Sequence, residues 1–475
     1  MYYGGSWRRP ARDATIVARN AATLELVGST SAASVDDVDA AVGHARRAVD
    51  DAGGWPSWPA AERADKLEAL AKAFTARADR IAATVTAQNG MPIQLASQLE
   101  AGMPAAALGF YADLIREKDF APLRAGRHGG TARVREVPVG VVAGIVPWNF
   151  PQTLAFTKLA PALAAGCSII LKPSPETALD SMILADAIDE AGIPAGIIGI
   201  LPGGPEVGEA LVSHPGVDKV SFTGSTEVGR AIAERCGRLL RPVTTELGGK
   251  SAAVFLEDVD MSHRWWDLFG VALLNNGQTC YATTRLLVPR SRYDELVGSI
   301  AEFVGALNVG DPSRPETQVG PLVSRRQRDR VKALIATGVE EGGRVVVGGG
   351  SGDSFGAGWF VEPTVIADVD NGSTIARTEI FGPVLTVTPY ADVAEAVRLA
   401  NDTPFGLCGT VWTEDAELGE NVAARLEAGA VGVNGYVPDP AISFGGWKAS
   451  GLGRELGPEG LAGYLRVQSV HLGAN

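Results

Sequence analysis

From Val139 onward the chain alternates short apolar runs with amphipathic stretches. "VGVVAGIV" is followed by the helical "TLAFTKLAPALAAG" and then by "CSIILK". A helix over Thr177–Ala191 leads to "IIGIL", and a short helix leads to "VDKVSF" and a further helix from about Thr226. Apolar runs of roughly four to eight residues between helices predict βαβ units and a parallel sheet. The runs are apolar almost throughout, so both faces of that sheet should be covered. After Gly248 the alternation resumes with a different spacing: "SAAVFL", a helix through Trp265–Leu274, "RLLVP", and so on to "GAVGVN". This predicts a second α/β domain.

The first third predicts helices after a short β-like start. Ser34 with Asp37 three residues on marks a helix N-terminus, and Gly53-Gly54 ends that helix. A second helix is expected from about Ala61 to Ala87, with Leu67, Leu70, Phe74, Ile81 and Val85 on one face and Asn89-Gly90 as its stop. The segment Phe120–Val137 and the C-terminal "YLRVQSVHL" alternate polar and apolar residues. Both read as edge strands in need of a partner, for which another subunit is one source. "GGRVVVGGGSGDSFGAG" reads as a strand with a surface loop.

Composition narrows the function. Hydrophobic residues are 46% of the 475 and charged residues 20%, enough for a large core and too little charge for a disordered chain. A formal net charge of −13 argues against a nucleic-acid or anionic-membrane partner. "MYYGGSWRRP" lacks the apolar core of a secretory leader, and the most apolar windows are too short to span a bilayer. Cys167, Cys236, Cys280 and Cys408 form no CxxC pair, which fits reduced thiols and a cytoplasmic location. The five histidines show no metal-ligand spacing, so no metal site is expected.

Several short stretches carry candidate chemistry. In "PWNFP" (147–151) Asn149 lies between two prolines at a strand end, where ligands of open α/β sheets bind. Its amide could donate to an oxyanion, or it could be a turn residue. Lys172 ends a strand, as a ligand for ribose or phosphate or as a solvated lysine. "SFTGSTEVG" (221–229) places Gly224 and Ser225 before a helix N-terminus suited to a pyrophosphate. It is neither a P-loop nor a GxGxxG motif. In "TTELGGK" (244–250) Glu246 is a general base or a hinge acid. "TEIFGPV" (378–384) offers an acid and an aromatic ring for a ribose and its attached ring, or a turn. Cys280, in "NNGQTCYATT", lies between a helix and a strand, where catalytic residues are commonly held. A free thiol is only a few per cent thiolate at neutral pH, so it needs help to attack. Cys167, Cys236 and Cys408 read as packing residues.

Taken together, PWNFP (147–151), Lys172, FTGSTEVG (222–229), ELGGK (246–250), GQTC (277–280), EIFGP (379–383) and FGGWKASGLGRE (444–455) resemble the NAD(P)-dependent aldehyde dehydrogenase superfamily. The resemblance spans the chain, in family order and spacing. "KPSPETALD" (172–180) is similar to a bacterial subgroup that includes geranial-type dehydrogenases. The resemblance implies that family's α/β fold. A Rossmann-like parallel-sheet cofactor domain would comprise residues 1–117 and 138–247, and an α/β catalytic domain residues 248–443. A small β oligomerisation arm would comprise 118–137 and 455–475, serving a homodimer or homotetramer.

The resemblance also implies roles. Cys280 would be the nucleophile, forming a thiohemiacetal and then a thioester. The Asn149 amide and the Cys280 backbone N–H would hold the oxyanion. Glu246 would activate the hydrolytic water, and Lys158 would join a proton relay. Lys172 would meet the adenosine ribose, Ser225 and the following helix the pyrophosphate, Glu379 the nicotinamide ribose, and Phe381 the nicotinamide. Ile145 and Trp148 would add backbone around the cofactor, with Pro147, Ser174, Phe222, Gly224, Val228, Leu247 and Gly248 completing its site. The cofactor implied is NAD. Pro175 stands where many NAD-preferring members carry Glu, with Glu176 one residue later, which leaves NADP use open. Glu246 implies a carboxylic acid product instead of an acyl-CoA. The substrate tunnel is expected near Met103–Tyr111, Trp148–Phe156, Cys280 and Tyr436–Phe444, for an apolar aliphatic, terpenoid or aromatic aldehyde. Two rivals are a cysteine hydrolase, which would need a histidine such as His263, and a non-catalytic protein on the same fold.

Overall fold

The structure is a computed structural model that describes residues 1–350 and 352–472. Its first sheet runs Ser6–Trp7, Tyr2–Tyr3, Ile198–Ile200, Ser168–Lys172, Val141–Ile145, Lys219–Thr223, Val243–Glu246 and Gly451–Leu452. The five central strands are parallel. Every residue of Val141–Ile145, Ser168–Lys172 and Lys219–Thr223 is buried. This is what a parallel sheet covered on both faces requires. One face packs on Leu67, Phe74, Leu108, Phe156 and Leu163, the other on Val38, Val42, Val207 and Leu211.

The second sheet runs Arg344–Val347, Thr364–Ala367, Val384–Tyr390, Arg285–Pro289, Ala252–Phe255, Cys408–Trp412 and Ala430–Val433. All neighbouring strands in it are parallel except Arg344–Val347, which is antiparallel to Thr364–Ala367. Among the described residues no helix is long and apolar enough to cross a membrane.

The helix expected over Ala61–Ala87 is two helices, Ala60–Thr75 and Ala78–Asn89. The apolar stripe continues across both, so periodicity alone hides the break. Arg77 makes it: the residue leaves the helical region (φ −111°, ψ 11°), and its guanidinium bonds the carbonyls of Ala73 and Asp186. The helix at Ser34 forms as expected, with the Ser34 N–H donating to the Asp37 carboxylate at 2.8 Å. The helix expected through Leu274 stops at Ala272, because Asn275 and Asn276 take left-handed backbone conformations (φ 51° and 61°).

Of the two sources of a partner for the edge segments, the C-terminal strand Leu465–Leu472 finds one within the chain. It pairs antiparallel with Thr131–Pro138 along its whole length, and Leu123–Ala125 pairs on the far side. The outer edge of Leu465–Leu472 has no strand partner among the described residues. The last three residues of the segment expected to form an arm, 473–475, and residue 351 of the Gly-rich stretch lie outside the described residues.

Phe74, fully buried, meets Phe156 edge-on at a centroid distance of 4.7 Å, tying the early helices to the helix behind the site. Phe74→Ala should destabilise the protein by about 3–5 kcal/mol, read as a lowered unfolding midpoint in denaturant.

Candidate active site

The parallel strands of the first sheet deliver their carboxyl ends side by side. Register places Ile145 opposite Lys172 on one side and Phe222 on the other, and Thr223 opposite Glu246. Pro147, Trp148, Ser174, Gly224, Ser225, Leu247 and Gly248 leave those same strand ends, so the sequence-expected residues converge on one rim. Ser225 caps the Thr226–Arg238 helix, its hydroxyl accepting from the Val228 N–H at 3.4 Å. Burial lowers the Lys172 ammonium to about 8, while Glu176 and Glu206 pull it back up.

Glu379 and Phe381 reach this rim from the second sheet. Glu379 accepts a hydrogen bond from the Gly249 N–H at 3.1 Å, and burial raises its carboxyl to about 7. A methyl on Gly248 would lie 2.4 Å from the Glu379 Oε2, so the Glu379 carboxyl could keep this position only beside a residue without a side chain. The Phe381 ring stands edge-on to Trp148 at 5.2 Å.

A web of carboxamides fixes the loops between the sheets. Asn89 Nδ2 donates to the carbonyls of Trp148 (2.6 Å) and Asn149 (3.2 Å). Asn275 Nδ2 donates to the Asn149 carbonyl at 2.8 Å, and Asn149 Nδ2 to the Gln278 carbonyl at 3.0 Å. Asn276 bonds the carbonyls of Gly90 and Pro321 and the Gly320 N–H. Gly277 lies against the Gly382 carbonyl, where a methyl would approach within 2.1 Å. The Asn149 side-chain Nδ2 carries two hydrogens and has one acceptor among the described residues, the Gln278 carbonyl, so the second hydrogen is available. Of this web only Asn149 carries a signal in the sequence. Asn89 had read as a helix stop, and Asn275, Asn276 and Gln278 as flanks of Cys280.

Glu246 is buried, and among the described residues neither carboxylate oxygen makes a hydrogen bond of full geometry, although the Gly446 backbone N–H lies close enough to favour the charged form. Burial raises its carboxyl well above the usual range and nearby Glu455 adds to this, while Lys158 and Arg454 oppose it. Lys158 is fully buried and bonds the Thr223 hydroxyl and the Glu455 carboxylate, each at 2.6 Å. Glu455 was unassigned in the sequence, although it ends the FGGWKASGLGRE stretch.

Cys280 is half-buried, whereas Cys167, Cys236 and Cys408 are buried. Burial pushes the Cys280 thiol far up, and the charges of Glu379 and Glu246 push it further. It opens onto a cavity of about 370 Å³ walled by Met103, Phe150, Leu154, Tyr281, Tyr436 and Phe444. That volume suits a small-molecule site. All four segments expected to line it do so. Leu95–Leu99 and the Trp266–Gly270 face join them unforeseen. No lysine, arginine or histidine lines it. His263 lies before the Trp265–Ala272 helix with its side chain 58% exposed, and the cavity lining does not include it. Among the described residues no cluster of three or more His, Cys, Asp or Glu could hold a metal ion.

Comparison with known proteins agrees. The model of the aldehyde dehydrogenase family matches residues 7–470, and the chain belongs to that family. It is 50% identical over 472 residues to a geranial dehydrogenase of Castellaniella defragrans, covering 99% of this chain and 98% of that one. A Mycobacterium tuberculosis aldehyde dehydrogenase complexed with NAD+ superposes with a TM-score of 0.97 at 44% identity, over 99% of this chain and 97% of that one. A mutant aldehyde dehydrogenase C of Pseudomonas syringae, in complex with NAD+ and octanal, gives 0.95 at 36% identity over 99% and 96%.

The thiolate is the reactive form, so a raised thiol reacts more slowly at a given pH. Alkylation of the ligand-free protein by iodoacetamide should label Cys280 selectively. At neutral pH it should be slower than for a free thiol (pKa about 8.5), and it should still be climbing above pH 9. Peptide mass spectrometry across pH reads both.

Proposed function

We propose that this protein oxidises an apolar aldehyde to its carboxylic acid with NAD, through a thioester on Cys280. The observation that carries this reading is a half-buried thiol opening onto a mostly apolar cavity, with the buried Glu246 carboxyl close enough to act on it and the Asn149 amide bonded to the Gln278 carbonyl two residues before it. Residues 1–117 and 138–247 act as the cofactor domain, 248–443 as the catalytic domain, and 118–137 with 455–475 as an arm for a homodimer or homotetramer.

The rim fits the cofactor. Lys172 and the Ser225-capped helix offer a cation and N–H groups to ribose and pyrophosphate. Gly248 leaves room beside Glu379, whose carboxylate accepts ribose hydroxyls, and Phe381 and Trp148 form an aromatic wall. When bound, NAD accepts the hydride released from the aldehyde carbon.

The chain's own residues do the rest. Glu246 takes the Cys280 proton, and the sulfur attacks the carbonyl carbon. The carbonyl electron pair moves to oxygen, which the free Asn149 N–H and the Cys280 N–H hold. Once the thioester has formed, Glu246 takes a proton from water, the water oxygen attacks, and the C–S bond breaks to release the acid and the thiol. Lys158 and Glu455 pass the Glu246 proton on. The absence of basic lining disfavours anionic substrates, and the relative active on geranial supports an apolar terpenoid or similar chain.

Reduced-cofactor formation over a panel of octanal, geranial, benzaldehyde and betaine aldehyde tests this reading. The apolar aldehydes should be turned over in preference to the cation. Cys280→Ala should abolish turnover, and Asn149→Ala should lower kcat by about 10²–10³. Glu246→Gln should lower kcat by about 10²-fold or more, because the same carboxyl serves both proton transfers. Turnover surviving in Cys280→Ala would refute the mechanism.

Glu176 and Glu206 both lie close enough to Lys172 to act on its charge, and both repel a 2′-phosphate. The ratio of kcat/KM for NAD over NADP should therefore exceed about tenfold. A ratio below one would overturn the preference.

A further inference from the structure

The Trp265–Ala272 helix presents one face to the cavity. Trp266 and Gly270 are four residues apart and both line it, and Leu274, just past the helix, continues the wall towards Cys280. Trp266 marks the mouth: it is 58% exposed, and its ring is held against Phe269 (5.7 Å) and Phe303 (5.4 Å). Gly270 therefore lies about one helical turn, or about 6 Å, inside the mouth.

A glycine inside a helix is unfavourable relative to alanine. Packing does not require it here. A methyl at Gly270 would meet no atom within 4 Å, and the backbone there is helical, not left-handed. By contrast, Gly229 and Gly338 are helical glycines whose added methyl would strike Leu247 at 2.3 Å and Ile375 at 2.7 Å. At Gly270 the missing side chain is left as open cavity. Small side chains elsewhere in the lining, Ala107, Thr153 and Thr157, keep the same space wide.

We infer that Gly270 determines specificity by keeping the middle of the tunnel wide, so that the enzyme accepts aldehydes bearing methyl branches along the chain as readily as straight ones. The inference rests on the reading that aldehydes reach Cys280 through this cavity.

The test compares octanal with 3,7-dimethyloctanal, which share an eight-carbon main chain, in wild type, Gly270→Ala and Gly270→Leu. Wild type should use both aldehydes. Gly270→Leu should lower kcat/KM for the branched aldehyde by about tenfold or more relative to octanal, with Gly270→Ala intermediate. The unfolding midpoint of Gly270→Ala should not fall, because alanine favours the helix. If Gly270→Leu fails to fold, the same ordering must appear in Gly270→Ala. Equal losses on both aldehydes, no loss, or a greater loss on octanal would overturn the inference while leaving the Cys280 reading intact. No turnover of either aldehyde by wild type would instead remove that reading, and this inference with it.

Discussion

The candidate site depends on hydrogen bonds between side-chain amides and backbone carbonyls at the junction of the two sheets. The Cys280 loop, the Pro147–Pro151 loop and the Asn89-Gly90 turn come from distant parts of the chain. None carries regular backbone pairing to the others at this point, so their buried carbonyls need donors from side chains. Asn89, Asn275, Asn276 and Asn149 supply them. Asparagine suits two of these positions for a second reason. Asn275 and Asn276 adopt left-handed conformations that most residues avoid, and Asn tolerates them. The residues that turn the chain after the helix are therefore also the ones that bind it to the opposite loop. The distance between thiol and amide follows from this web more than from either sheet.

Charge is the second constraint. Cys280 lies between two carboxyls, Glu246 and Glu379, in surroundings that penalise every ionised form. Without a compensating cation each group keeps its proton more tightly, and the site rests near neutrality. Of the buried cations nearby, Lys158 is already committed to Glu455 and Thr223, and Lys250 acts on Glu379. Burying that pair brings little net stability, since desolvation offsets attraction. Its effect is local: Glu455 raises Glu246 and Lys158 lowers it, so Glu246 feels a dipole and not a lone charge. A thiol held so strongly protonated is also slower to be oxidised or alkylated than a free one.

Much of this was legible in the sequence, for definite reasons. Fully buried parallel strands write themselves as unbroken apolar runs, so Val141–Ile145, Ser168–Lys172 and Lys219–Thr223 appeared with correct order and class. Glu246 and Lys172 appeared because they end strands, and Asn149 because two prolines flank it in the loop that follows one. The break at Arg77 did not, because a continuous apolar stripe outweighs a single arginine whose role is set by carbonyls far along the chain. Nor could alternation show that Leu465–Leu472 pairs with Thr131–Pro138, since pairing partners over 300 residues apart leave no local trace. Glu455 was invisible for a related reason. Its significance lies in Lys158, 297 positions away in sequence and 2.6 Å away in space.

The same distinction separates chemistry from selectivity in this molecule. The groups around Cys280 are held by directional hydrogen bonds, each with a specific partner, so substitution there leaves a buried polar atom unsatisfied. The outer cavity is held by apolar packing on three helical segments and one loop, where side chains of different size can be exchanged at modest cost. A wall built in that way can change its bore without disturbing the reacting atoms. Trp266, ordered by Phe269 and Phe303 although exposed, fixes the rim of that wall. The width of the cavity is then set between Trp266 at its rim and the Cys280 loop, by how much side chain each intervening position projects into the space.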